Sequence, residues 1–348
     1  VGDSSNSVFR PCHWSRLSTS RPRIPGISPI IRWVSRLAVI APVFNDSACL
    51  PPLLRDLARG LPEPSSADIY IIDDGSTEAL KLATADIPAS LKSVTILRLS
   101  CNLGHQRAIA IGIVEASKNL DHEALIVVDA DGEDRPQDIP TLLAAHESNP
   151  EAIVVAQRRS RQEAVNFRVF YTLYKFLFRT LTGRKLDFGN SSVLPIDAAD
   201  RLTHMTELWN HYPATIMRSR LPVVRVPLDR QHRYEGESRM NFTALVNHGL
   251  AGIAAFIDTA FARLLVVAVL FTLLLGGLVM TGVVARLTLG VPIPGWLALG
   301  TTGAMIGLIQ IAVALVILSF FTLSARSTAS PPPASFAADY ISSRKQFA

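Results

Sequence analysis

Two charge-free apolar runs near the C-terminal end constrain this chain more than any other feature. One extends from Leu264 to Ala285 and the other from Leu287 to Ala325, the second interrupted by Pro292, Pro294 and Gly295. At a rise of about 1.5 Å per residue, roughly 20 residues cross the hydrocarbon of a bilayer, so each run suffices for one helical span. Val291 to Gly295 then makes a tight connection. A buried core hairpin is the competing reading, and runs this long weigh against it. Arg230, Arg233, Arg239 and Arg263 precede the first run, Arg326, Arg344 and Lys345 follow the second, and Arg286 alone lies between. By the positive-inside rule both ends are expected in the cytoplasm.

Ahead of the runs the chain divides into recognisable parts. Residues 1–36 carry Arg10, Arg16, Arg21, Arg23, Arg32 and Arg36 among prolines and serines, and are expected to form a disordered basic tail, either dispensable or drawn to anionic headgroups. From Leu37 to Arg158, short β-branched runs alternate with helical stretches, the pattern of a doubly wound α/β sheet. The strands are expected at Leu37–Phe44, Asp68–Asp73, Val94–Leu99, Ala124–Asp129 and Ala152–Ala156. Helices are expected at Ala48–Arg59, Gly104–Asn119 and Pro136–Glu147. Cys12, Cys49 and Cys101 have neither metal nor redox spacing and receive no role.

Ligands of open α/β sheets lie beyond the carboxyl ends of the strands. Here those ends carry Asn45 and Asp46, then Asp73, Asp74, Gly75 and Ser76, then Asn102, then Asp129, Asp131 and Glu133, and last Gln157, Arg158 and Arg159. Asp129-Ala130-Asp131 sets two carboxylates at i and i+2 where a strand ends, which suits Mg²⁺ or Mn²⁺. Mg²⁺ takes only one or two protein carboxylates and fills its shell with water and substrate phosphates. A D-x-D pair alone is a weak signal. With Pro42-Val43-Phe44-Asn45-Asp46, Asp73-Asp74-Gly75-Ser76 and Asn102-Leu103-Gly104 beside it, residues 37–240 resemble the GT-A domain of family-two inverting glycosyltransferases. The resemblance implies metal ligands at Asp129, Asp131 and Glu133. It implies nucleotide-sugar contacts from Pro42, Asp46, Asp74, Asn102, Gly104, Ala130, Arg233 and Ser238, with Asp131 and Arg233 central to catalysis.

The acceptor side follows from amphipathic segments. Within 165–181, Arg168, Thr172, Lys175 and Arg179 recur at helical spacing among phenylalanines, tyrosines and leucines, as in a helix lying in a membrane interface. A helix packed on the sheet with solvated charges is the alternative. A second amphipathic helix over 241–263 leads into a hairpin over 264–323, and 324–348 is expected as a cytoplasmic tail. Arg-x-x-Gly-x-Ser-Arg at Arg233–Arg239, followed by an amphipathic segment and two spans, resembles the polyprenyl-phosphate glycosyltransferases. That resemblance implies an integral membrane enzyme with a nucleotide-sugar donor, UDP- or GDP-linked. Its acceptor would be a polyprenyl phosphate held by Arg158, Arg168 and Thr172. No nucleic-acid partner is expected. Ser192 stands where related enzymes often carry arginine.

A phosphate monoester with a second pKa of about 6 is largely dianionic at neutral pH and needs no general base. A hydroxyl acceptor would need one, and Asp187, Glu207 and His211 are the candidates. A non-catalytic nucleotide-sugar binder is the third reading. Trp209-Asn210-His211-Tyr212 suits either sugar stacking or core packing, and Gly303-x-x-x-Gly307 either self-association or close packing of the hairpin.

Overall fold

The computed structural model describes residues 36–61, 66–158, 165–235, 242–290, 292, 294–327 and 331–347. The basic stretch before Arg36, together with Arg159, Arg161, Ser238 and Arg239, lies outside the described residues.

Eight strands form one mixed sheet: β1 (Arg36–Val43), β2 (Ser66–Asp73), β3 (Ser93–Leu99), β4 (Ala124–Val127), β5 (Ile153–Arg158), β6 (Phe188–Pro195), β7 (Val223–Leu228) and β8 (Ile341–Phe347). Their spatial order is β7-β5-β6-β4-β1-β2-β3-β8. The first four strands in sequence run parallel, as the alternating pattern predicts. Two departures follow. β6 inserts antiparallel between β4 and β5, and β8 adds antiparallel to the outer edge of β3.

Leu37 to Val43 are buried without a break, because the central strand is covered on both faces. Alternate side chains serve the two faces. Leu37, Val39 and Ala41 join the layer of α1 (Leu50–Gly60) and, further along the chain, α3 (Ile139–Ser148), whereas Ala38 and Ile40 join that of α2 (His105–Ser117). That second layer also holds α5 (Ile196–Thr203) and α6 (Tyr212–Ser219). Contact between α2 and the sheet is close: a Cβ on Gly112 would stand 2.4 Å from Cγ2 of Ile40, so no larger residue fits there.

The remaining helices, α4 (Val165–Thr182), α7 (Phe242–Ala254), α8 (Ile257–Leu289) and α9 (Gly295–Ser327), build the apolar end of the molecule. The segment 241–263 is not one helix. It breaks at Ala255–Phe256, where the Phe256 ring turns inward, edge-on to buried Phe178 at 6.0 Å, and Arg218 donates to the Ala255 carbonyl at 2.9 Å. Arg263 then donates to the Thr180 carbonyl at 2.8 Å, fixing the base of α8 to the end of α4. Both α8 and α9 are long and apolar enough to cross a membrane, and their leucines and phenylalanines, Leu273, Leu274 and Phe320 among them, are exposed. Each helix, at about 1.5 Å per residue, is some 50 Å long, more than the roughly 30 Å of hydrocarbon in a bilayer.

After the hairpin the chain does not trail away as a tail. Residues 341–347 pair with β3 from Val94↔Phe347 to Leu99↔Ile341. Ser100 donates to the Tyr340 carbonyl through its backbone N–H at 2.8 Å, the Tyr340 ring meets Trp209, and Arg344 pairs with buried Glu115 of α2.

Candidate functional site

The carboxyl ends of β1, β2 and β4 converge, and each loop there is fixed by its own polar groups. After β2, Asp73 accepts the Ser76 N–H at 2.9 Å, and the Ser76 hydroxyl accepts the N–H of Asn45 at 2.9 Å. Asp74 is buried and accepts the N–H groups of Leu103 and Gly104 at 2.8 and 2.9 Å. It therefore ties the turn carrying exposed Asn102 to the end of β2. Burial pushes the Asp74 carboxyl above its ordinary pKa despite those two donors. Pro42 is buried in β1, and Ala130 is buried between the two aspartates of the D-x-D.

The loop after β4 is clamped by the segment 230–234. The main-chain carbonyls of Asp131 and Glu133 accept the backbone N–H groups of Tyr234 and Gln231 at 2.9 and 3.0 Å, and the Gln231 side-chain amide donates to the Gly132 carbonyl at 2.8 Å. Gly132 has φ +76° and lies under the Tyr234 ring, where a Cβ would come within 2.2 Å of a ring carbon. Both the conformation and the space require glycine. Arg233 spans the site, donating to Asp131 Oδ2 at 3.0 Å and to Asp46 Oδ2 at 2.8 Å. Arg230 pairs with Glu133 at 2.5 Å and with Asp134 at 3.1 Å.

Asp129 has different company. His105 Nε2 lies 3.1 Å from its Oδ1, and the Asn190 amide donates to the same oxygen at 3.1 Å. Burial alone would raise the Asp129 carboxyl, but the His105 hydrogen bond and charge, Arg158 and Asn190 together hold it well below the carboxylate range. Asp131 moves the other way, pushed up to about 6 by burial and by the neighbouring Asp129 charge. The structure thus keeps one ionised carboxylate beside another that lacks sufficient positive charge.

This donor set fits a divalent cation. Two carboxylates from one turn are what Mg²⁺ or Mn²⁺ takes from a protein when phosphates complete the shell. Glu133 is turned to Arg230, and among the described residues no group of three His, Cys, Asp or Glu side chains converges as a closed cage. The pair Asp129 and Asp131 is the open arrangement that remains.

On the expected acceptor side, Arg158 stands 3.8 Å from Asp134 and covers Gly189, where a Cβ would lie 2.8 Å from Nη2. Thr172 is exposed on α4, as are Lys175 and Arg179; Arg168 lies on the same helix, its side chain outside the described residues. Two of the three candidate bases are held in ion pairs and the third is buried. Asp187 accepts from Gln157 at 2.8 Å and pairs with Arg225 at 3.1 Å and Lys185 at 3.3 Å. Glu207 pairs with Arg218 at 2.8 Å. His211 is buried, its pKa pushed down to about 3 by burial and by His248, and its Nδ1 accepts the Ala214 N–H at 3.1 Å. Tyr212 is fully buried, its hydroxyl 2.6 Å from Ser192, and Trp209 packs on Tyr340, so the aromatic cluster is packing.

Sequence reasoning missed His105, Gln106 and Asn190. The signals were Gly104-His105-Gln106 at the start of α2 and an asparagine in the polar run of β6, each beside a residue that was singled out.

Residues 38–209 match the glycosyl transferase family 2 domain. The chain is 27% identical over 289 residues to an uncharacterized glycosyltransferase of Synechocystis sp., covering 79% of this chain and 86% of that protein. It is also 27% identical over 282 residues to the undecaprenyl-phosphate 4-deoxy-4-formamido-L-arabinose transferase of Salmonella choleraesuis, covering 77% and 80%. Among solved structures it is similar to glucosyl-3-phosphoglycerate synthase from Mycobacterium tuberculosis, at 15% identity and TM-score 0.47, over 65% of this chain and 80% of that one.

Proposed function

Since residues 38–209 are a glycosyl transferase family 2 domain, making the chain a glycosyltransferase of that family with a GT-A-like fold, we propose that it moves a sugar from a UDP- or GDP-sugar to a polyprenyl phosphate. The observation that carries this reading is the union of that domain with the hairpin. Arg263 and Phe256 lock the first long apolar helix to α4, whose exposed face bears Thr172, Lys175 and Arg179. An enzyme so mounted is suited to an acceptor drawn from a bilayer, and the Salmonella relative is named for transfer to undecaprenyl phosphate.

The ion pairs of Asp187 and Glu207 and the burial of His211 favour a phosphate nucleophile over a hydroxyl. One oxygen of the lipid phosphate dianion forms a bond to the anomeric carbon while the bond from that carbon to the nucleoside diphosphate breaks, with inversion and no proton to remove. Asp129 and Asp131 would hold Mg²⁺ or Mn²⁺, which supplies charge neutralisation for the departing diphosphate. Arg233, poised between Asp46 and Asp131, exchanges a carboxylate for a diphosphate oxygen, a change that suits its planar fork. Arg158 and α4 offset repulsion between the two anions.

Both ends of the hairpin belong on the catalytic side, assigned to the cytoplasm by the arginine distribution. The support is β8, which rejoins the sheet after both long helices.

The test uses purified protein in detergent with Mg²⁺ or Mn²⁺, a short polyprenyl phosphate and a panel of UDP- and GDP-sugars. A sugar-phosphate lipid that disappears in Asp131→Asn is expected. Turnover with a hydroxyl acceptor only would refute the phosphate mechanism, and donor binding without turnover would leave a nucleotide-sugar binder. For topology, a cysteine at Gly290 should react with an impermeant label from the side opposite to one at Ser343. Labelling of both from one side would overturn the assignment.

A further inference from the structure

A chain of hydrogen bonds crosses from the start of α6 to Asp129, and its polarity can be worked out from one end. The Tyr212 N–H is the first of α6, a donor with no partner inside its own helix. It is met by Gln106 Oε1 at 2.6 Å. A backbone N–H can only donate, so Gln106 must present its oxygen there and its NH₂ on the opposite side. That NH₂ stands 3.2 Å from Asn190 Oδ1. Asn190 must in turn present its own NH₂ to what lies beyond, which is the acceptor Asp129 Oδ1 at 3.1 Å. The orientation of both amides is therefore imposed by a peptide group of α6.

We propose that Gln106 and Asn190 are positioning residues that hold Asp129 for a divalent cation, with Gln106 acting through Asn190 by the direction of its hydrogen bonds. The inference rests on the metal-dependent reading of the Asp129–Asp131 turn. Asn190 occupies Oδ1 and lies 3.5 Å from Oδ2, leaving the second oxygen the more available for the ion. The partners of a metal-ligating carboxylate fix its orientation, and their loss commonly lowers metal affinity about 10- to 100-fold.

Two substitutions at one position separate this from a structural role. Gln106→Glu keeps an oxygen for the Tyr212 N–H but turns a second oxygen on Asn190 Oδ1. That forces the Asn190 amide to rotate and aim its own oxygen at Asp129. Gln106→Met keeps the volume, loses both hydrogen bonds and leaves Asn190 free to choose. Mn²⁺ affinity is read from the free-ion EPR signal on full-length protein in detergent at pH 8.5 without substrates, alongside the melting temperature. Gln106→Glu should bind Mn²⁺ roughly 10-fold or more weakly than the parent, with Gln106→Met between them, although Gln106→Met should melt lower. A residue that merely packs α2 on α6 would give the same order for affinity as for melting. If Gln106→Glu binds like the parent, or more tightly than Gln106→Met, the proposal falls. If the parent itself binds no Mn²⁺, the metal reading of the turn falls instead.

Discussion

Arg233→Met replaces a guanidinium by an apolar side chain of similar reach and leaves Asp46 and Asp131 facing each other without their shared cation. The two ion pairs it removes measure 2.8 and 3.0 Å, and the three side chains are each about one-fifth exposed, at 19%, 22% and 18%. At an effective dielectric of 20, a unit pair at 3 Å attracts by about 5.5 kcal/mol, most of which only offsets desolvation. Removing one partner of a buried pair costs about 3–5 kcal/mol, and the residual exposure puts this case near 3. At about 2–4 °C per kcal/mol, the metal-free variant should melt roughly 6–12 °C below the parent. Protonation of Asp131, already pushed up to about 6 by burial and by Asp129, is the escape from that penalty, so the deficit should be larger at pH 8 than at pH 6. A divalent cation takes over the neutralisation. At a hundred times its dissociation constant it contributes about 2.7 kcal/mol, enough to close most of the gap. The assay is scanning fluorimetry in detergent, with EDTA and with a Mn²⁺ series. A variant melting within about 2 °C of the parent in EDTA, or one that Mn²⁺ stabilises no more than it does the parent, would refute Arg233 as the cation of this site.

Three further outcomes follow from the same geometry. His211 folds neutral, with a pKa near 3 against about 6.5 unfolded, so it costs stability as pH falls below about 6.5, by up to about 1.4 kcal/mol per pH unit. His211→Asn keeps a cap acceptor for Ala214 and should flatten that acid limb in urea titrations at pH 4.5 to 6.5; an unchanged slope would mean that His211 is not the group being forced to charge. Gly132→Ala should cost roughly 2–3 kcal/mol through its left-handed backbone and the displaced Tyr234, whose hydroxyl donates to Asp56 at 2.8 Å, and should weaken nucleotide binding; a melting point within 1 °C of the parent is the contrary result. Asp187→Asn should retain most of the catalytic rate while lowering stability, because its carboxylate is engaged by Gln157, Arg225 and Lys185; a loss of 10² or more would restore it as a base.

The sequence discloses the parallel half of the sheet because Leu37–Val43, Ile69–Ile72 and Ala124–Val127 are apolar on both faces, a demand that leaves little freedom in residue choice. It conceals β6 and β8. After Phe188, the strand Phe188–Pro195 continues with glycine, asparagine and two serines because it lines the site, where polar side chains are needed. Ile341–Phe347 is an outer strand exposed along most of its length, so Ser343, Arg344 and Lys345 carry no alternation to read. The D-x-D and Arg233 can be picked out through the resemblance to family-two glycosyltransferases, since a D-x-D pair alone is a weak signal. His105 and Asn190 cannot, since their role depends on the start of α2 and the strand β6, about 85 residues apart, meeting at one carboxylate oxygen. The expected helix over 241–263 breaks because Phe256 finds a pocket beside Phe178, a tertiary contact that overrides helical spacing.

The order of events during synthesis is written into the position of β8. A ribosome making this chain completes β3 at Leu99, yet the strand that covers its outer edge begins at Ile341, beyond both long apolar helices. Until residues 341–347 have been made, β3 presents an open row of backbone donors and acceptors, the kind of edge on which nascent chains aggregate. Completion of the sheet therefore waits on synthesis of both long helices. Closure by β8, sealed by Arg344 on Glu115, marks a chain in which both long helices have already been made.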